Sequence, residues 1–282
     1  MPSLPATLGE IVEYRGVEGL VAAKVTCDDN DSSAGHGYVT GDVFAIAGVA
    51  EISKAVEQSS EAHYYDNIPA VVIDSVGADT VTINASAIPE DVKAEMTGQT
   101  YISAKGALVE GEASAPYFAI GYKTQKTDGT EVYVWRYKGK FSQVNDTTHD
   151  TKDNGTGANG QSIVYTGINT THKFTANGNK GAKALVVDTG KDLADVSNFF
   201  SSVVTPDTLA GKTAYTATIT QGSNTTLVVK RNGQVIETGA TIYAGDLLQI
   251  TVTGGTVTVG GAAFISGDIH VVTGNTTIVS AH

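Results

Sequence analysis

Along most of the chain apolar and polar residues alternate one by one, the period of a strand with one buried face, and only two short stretches carry a helical period. The segment "AEISKAVEQSSEAHYYDNIPAVVIDSVGADTVTINAS" predicts strand, turn, strand, and "IPEDVKAEMTG" predicts a helix after it. Pro89 suits a first helical position, Glu90 and Asp91 suit the positive end of the helix dipole, Val92 and Met96 share a face, and Gly98 suits the stop.

Next comes "PYFAIGYKTQKTDGTEVYVWRYKGKFS", in which Asp128-Gly129 between two alternating runs predicts a two-residue hairpin turn. That turn sets Lys126 against Glu131, Tyr122 against Trp135 and Ile120 against Tyr137. One buried face is then expected to carry Phe118, Ile120, Tyr122, Tyr133, Trp135 and Tyr137, and the opposite face Lys123, Arg136, Lys138 and Lys140. The strand "QSIVYTGINTTHKFTA" follows. A second helix is predicted in "KDLADVSNFFSSVVTPD", with Asp192 as N-cap, Leu193, Val196, Phe199, Phe200 and Val203 at amphipathic spacing, and Thr205-Pro206 as its end. From Ala214 onward short Thr- and Val-rich strands alternate with turns, Asn232-Gly233 among them, the texture of a small sandwich. The expected fold is mainly β: a β-sandwich or rolled-sheet body with two short flanking helices over residues 1–205, and a small β-sandwich over residues 206–282.

Composition narrows the classes. The 282 residues include 41% hydrophobic and 17% charged positions, which suits globular material. No apolar run is long enough to span a bilayer, and "MPSLPATLGE" lacks the basic and apolar regions of a signal peptide, so synthesis in the cytoplasm without a membrane anchor is expected. On that ground the N-x-S/T matches reflect composition only. A single cysteine, Cys27, excludes an intrachain disulfide framework, and neither a Cys-based zinc site nor any other metal site is expected. Of 30 acidic and 18 basic residues, only four acids and three bases fall in residues 206–282, so eleven of the twelve net negative charges belong to residues 1–205. Such a chain is poorly suited to gripping phosphate.

The motif search is mostly negative. "DNGTGANG" contains G-x-G-x-x-G at Gly155, Gly157 and Gly160, but a polar acidic stretch precedes it and a strand follows, the reverse of a dinucleotide fingerprint. "CDDNDSSAGHG" gathers Cys27, three acids and His36 without the spacing of an EF-hand or a third group to orient a Cys-His pair, and a solvated acidic loop is expected. In "AHYYDN" consecutive side chains alternate across a strand, which suits core or interface aromatics. The predicted hairpin separates cations from aromatics, unlike a single-strand nucleic-acid platform. G-x-S-x-G, H-E-x-x-H and Walker sequences are absent, and neither catalysis nor a cofactor is expected.

The succession of the tyrosine-containing turn Tyr65-Asp66-Asn67, the helix segment Pro89 to Gly98 and the hairpin Pro116 to Phe141 resembles the major tail proteins of long-tailed phages, specifically the phi13-type family. The likeness runs over roughly residues 45–205. It departs at Tyr64-Tyr65, where the family has Tyr-Ala, and at "AEMTG", where the family is more apolar. Residues 206–282 resemble the immunoglobulin-like modules appended to phage structural proteins. The resemblance implies a virion tail-tube subunit that forms stacked hexameric rings. Its partners would be copies of itself and other tail proteins at the tube ends, with phage DNA passing through the lumen without specific binding. It also suggests that the loop bearing Asp150, Asp153, Gly155, Gly157 and Gly160 reaches a neighbouring subunit. Two other classes are a cell-surface or carbohydrate-binding adhesive module, which would need exposed aromatics on a strand face, and a small hydrolase, which would need convergent titratable groups.

Overall fold

The computed structural model describes residues 11–142, 146–147 and 160–282. Strands take 56% of the described residues and helical turns 5%, so the fold is mainly β. The chain divides into two compact units: residues up to Lys191 with Val196–Leu209, and Asp192–Asp195 with Ala210–His282. The change of unit thus falls later than the expected Pro206, and a short stretch at Asp192 enters the second unit early.

The first unit contains β1 (Tyr14–Asp28), β2 (Tyr38–Ala45), β3 (Val49–Tyr65), β4 (Ile68–Ala85), α1 (Glu90–Thr97), the small pair β5 (Thr100–Ile102) and β6 (Ala107–Val109), β7 (Phe118–Lys126), β8 (Glu131–Phe141), β9 (Asp146–Thr147), β10 (Gln161–Ile168) and β11 (Ala184–Asp188). All but β5 and β6 join one nine-stranded sheet in the order β2-β1-β7-β8-β10-β4-β3, with β11 on β8 and β9 on β10. The sheet rolls around its core: Leu20 and Ala22 of β1, Val81 and Ile83 of β4, and Ile163 and Tyr165 of β10 belong to a single buried cluster. Helix α1 ends at Gly98 as expected and sinks Met96 fully into that cluster, with Val92 packed at its edge.

The central hairpin differs from its predicted register by one residue. The Lys126 N–H donates to Thr130 O across a three-residue loop, and the pairs are Gln125 with Glu131, Tyr122 with Val134 and Ile120 with Arg136. Gly129 takes φ +87°, and the Asp128 carboxylate accepts the Thr130 N–H at 2.8 Å, which favours the longer loop with a left-handed third residue. Because strand side chains alternate, the slip divides the predicted aromatic face. Phe118, Ile120 and Tyr122 line the rolled core with Val132 and Val134. Tyr133, Trp135 and Tyr137 point to the other side of the sheet. A bulge in β8, where Tyr137 and Lys138 stand opposite the single residue Ala119 of β7, then returns Phe141 to the first core.

The far side of β8 is covered by the segment predicted as the second helix, which is a run of turns. Phe199 N–H bonds to Val196 O and Ser201 N–H to Asn198 O, three residues back rather than four. Asn198, Ser201, Ser202, Val203 and Val204 favour a helix weakly, and tertiary contacts decide the outcome. Phe199 and Phe200 pack on Tyr133, Phe200 also meets Trp135, Trp135 Nε1–H donates to Phe199 O at 2.8 Å, and Tyr137 O–H donates to Val204 O at 3.1 Å. Asp192 is no N-cap: it sits at φ +52° and pairs with Lys212 and Arg231 inside the second unit.

The second unit is a sandwich. One sheet has β12 (Ala214–Thr220), β15 (Thr241–Tyr243), β17 (Thr256–Val259), β18 (Ala262–Phe264) and β20 (Thr276–Ala281); the other has β13 (Thr226–Arg231), β14 (Gln234–Val235), β16 (Leu247–Thr253) and β19 (Ile269–Val271). Ala217, Val229, Ile242, Leu248, Ile250 and Ile278 fill the space between them. Asn232-Gly233 forms the predicted two-residue turn, with Arg231 paired to Gln234.

Candidate interaction surface

Strands β3 and β4 outlast the body. β10 pairs with β4 only from Asp79 to Ala85, whereas β3 and β4 stay paired out to Tyr65 and Ile68 at the Asp66-Asn67 turn, both turn residues having positive φ. Residues 57–76 therefore form a two-stranded ribbon with no third strand on either edge among the described residues. Register places Tyr65, Ile68, Val71 and Ile73 on one face and Tyr64, Pro69, Val72 and Val76 on the other. Neither face is buried: exposures run from 48% at Val71 to 66% at Tyr64.

A two-stranded ribbon in water is marginal, and strands with apolar residues on both faces are ordinarily buried on both. The run "IPAVVIDSV" carries that second signature. It is the sequence clue to this surface, and the reading of "AHYYDN" alone missed it. The rest of the ribbon is acidic, with Glu57, Glu61, Asp66 and Asp74 and no Lys or Arg between residues 57 and 76.

The predicted basic face is absent as such. Arg136 is buried on the core side against Asp79 at 3.1 Å, with Lys183 on the other carboxylate oxygen at 2.9 Å. Lys123 lies 2.7 Å from both Glu18 and Glu131, and those bonds hold its ammonium pKa above the usual lysine value. The hydrogen bond from Lys123, with a second from Tyr133, keeps the Glu131 carboxyl below its usual value. Lys138 pairs with Asp28, and Lys140 stands over the Tyr117 ring at 4.7 Å. Three of the four cations expected on an open face, Lys123, Arg136 and Lys138, are paired with carboxylates of the same chain.

A cavity of about 760 Å³ opens beside Arg136, walled largely by Val17, Ile52, Val132, Val134 and Val186. Tyr14, Glu51, Lys54 and Tyr122 add polar atoms, and no His, Cys or Ser lines it.

Of the glycine-rich loop, Asp150, Asp153, Gly155 and Gly157 lie outside the described residues. Gly160 is described, and its role is steric: a Cβ there would stand 2.5 Å from Ala85 O, where β10 begins to pair with β4. The loop "CDDNDSSAGHG" folds back on itself. Asp29 Oδ2 takes hydrogen bonds from His36 Nδ1 at 2.7 Å and Cys27 Sγ at 3.2 Å, and Oδ1 takes the Gly37 N–H at 2.8 Å. The His36 bond, then those from Gly37 and Cys27, hold Asp29 far below the usual carboxylate range. The Asp29 hydrogen bond in turn raises the Cys27 thiol. The sequence grouped these residues as a solvated acidic loop, and the closure of that loop brings the three side chains to one point.

Among the described residues no helix is long and apolar enough to cross a membrane. No protein-family model matches the chain, and no curated protein matches it.

Proposed function

We propose that the chain is a structural subunit that self-assembles through the β3–β4 ribbon, as the tail-tube protein of a long-tailed phage would. The observation that carries this reading is the ribbon's two apolar faces, both open to water in the single chain, which a neighbouring subunit would cover. In this reading the subunit is made in the host cytoplasm and resides in the virion. There it forms stacked hexameric rings that meet other tail proteins at the tube ends.

Charge supports passage of DNA without specific binding. The body carries the chain's excess of acid, the ribbon lacks Lys and Arg, and Lys123, Arg136 and Lys138 are held by carboxylates of the same chain. A non-enzymatic role fits the largely aliphatic wall of the cavity beside Arg136. Tyr64 and Tyr65 are exposed aromatics of the kind an adhesive module would use, but they stand on opposite faces of the ribbon and do not make one stacking platform.

Electron microscopy of the purified full chain over rising concentration tests the reading. Rings or tubes are expected. Particles that stay monomeric at every concentration would overturn it, and DNA retention at low salt that fades steeply with added salt would overturn the passive-channel part.

A further inference from the structure

We propose that Cys27, Asp29 and His36 form a binding site for a divalent transition cation of the zinc type at the end of β1. The argument begins with the donors. A thiol sulfur, an imidazole nitrogen and a carboxylate oxygen come from three residue types, and their ligand atoms all lie within 4.8 Å of one another. In a tetrahedral zinc site, bonds of about 2.0 to 2.3 Å put neighbouring donors roughly 3.3 to 3.8 Å apart. Here the sulfur-to-oxygen separation is 3.2 Å, nitrogen to Asp29 oxygen is 2.7 Å, and nitrogen to Asp31 Oδ2 is 3.8 Å. Both edges to Asp29 are shorter than that spacing and the Asp31 edge lies at its upper end, so side-chain rotations that widen the Asp29 contacts open the set around an ion.

The hydrogen-bond pattern supports the same conclusion. Asp29 Oδ2 accepts from both the Cys27 S–H and the His36 N–H. The two hydrogens lie between the sulfur, the nitrogen and one anionic oxygen, and a single cation replacing them would leave all three atoms as ligands. On binding, the Cys27 thiol loses its proton to solvent, His36 coordinates through Nδ1 while its remaining proton moves to Nε2, and the carboxylate stays ionised. Asp31 Oδ2 or a water completes four ligands. Thiolate and imidazole favour zinc-like ions over calcium or magnesium, which take oxygen ligands.

The loop is also held in place from outside the donor set. Asp28 accepts the N–H groups of Thr171 and His172, each at 2.8 Å. Asn30 accepts the N–H of Lys173 and donates to Thr171 O, and the carbonyl of Asp29 is hydrogen-bonded by His172 Nδ1. Three consecutive residues are thereby pinned to the segment after β10, and such support lowers the ordering cost of binding. Side-chain exposures of 47% at His36 and 38% at Asp29 leave the ion a path from solvent.

Cobalt titration of the chelator-stripped full chain under reducing conditions tests the site. Because Cys27 is the only cysteine, a thiolate-to-cobalt charge-transfer band reports this position alone. Saturation at one ion per chain, with displacement by zinc, is expected. His36→Gln should weaken binding by about 100-fold or more, and Cys27→Ser should abolish the band. In the unmodified chain, zinc should also slow alkylation of Cys27, which keeps the test valid if a variant folds poorly. Absence of the band at excess cobalt, or alkylation that zinc does not slow, would overturn the proposal and leave only an internally hydrogen-bonded loop.

Discussion

Placing a carboxylate on the ribbon separates a surface that binds from one that merely projects. Ile73 and Val72 face opposite sides and remain 55% and 58% exposed, so Ile73→Asp and Val72→Asp probe the two faces independently. Full burial of such a side chain is worth about 1.5 to 3 kcal/mol, and roughly half of each is still in water. A partner therefore gains on the order of 1 kcal/mol per residue, and about 7 kcal/mol over Tyr64, Tyr65, Ile68, Val71, Val72, Ile73 and Val76, before association costs. An aspartate loses its residue's share and adds a buried unpaired charge costing about 2 kcal/mol or more. Each substitution should thus raise the concentration needed for assembly by about 100-fold, the equivalent of roughly 3 kcal/mol. Sedimentation velocity over a concentration series measures this, while Trp135 emission and far-ultraviolet circular dichroism monitor the body. The monomer should keep its stability within about 0.5 kcal/mol, since neither side chain is buried. Assembly unchanged in both variants would refute the reasoning, as would a large loss of monomer stability.

Three other outcomes follow from the body. Trp135 is fully buried and is the only tryptophan, so native emission should be blue-shifted, and Trp135→Ala should cost about 3 to 5 kcal/mol in urea denaturation followed by circular dichroism. Burial pushes the Asp28 carboxyl up, but bonds from Lys138 and from the His172 and Thr171 N–H groups outweigh it and hold the group below its usual value. With the folded value depressed, its stabilisation is present above about pH 4, the unfolded value, and is lost as pH falls below it. Asp28→Asn should cost about 3 kcal/mol at neutral pH and flatten the acid limb of a stability-versus-pH curve; an unchanged limb would contradict the clamp. Gly160→Ala forces a Cβ against Ala85 O and should cost about 1 to 3 kcal/mol, seen as a lower melting temperature.

Local order was legible in the sequence wherever short-range chemistry decides it. Alternation predicted a mainly β chain, "IPEDVKAEMTG" predicted α1 with Met96 on its inner face, and Asn232-Gly233 predicted its hairpin, because period, caps and turn residues act within a few positions. Tertiary structure decided the rest. Asp128-Gly129 suits two loop lengths, and the choice between them, one residue of register, sent Trp135 and Phe118 to opposite sides of the sheet. The 191–207 segment has a helical pattern, yet Phe199 and Phe200 docking on Tyr133 and Trp135 outweighed weak helix preference. The ribbon was out of reach of spacing alone, whereas the stretch holding Cys27, Asp29 and His36 stood out in the sequence but was expected to be only a solvated acidic loop. Exposure of an apolar run depends on where the neighbouring strand stops pairing, and convergence of donors depends on how a loop closes, both of which are set by contacts distant in the chain.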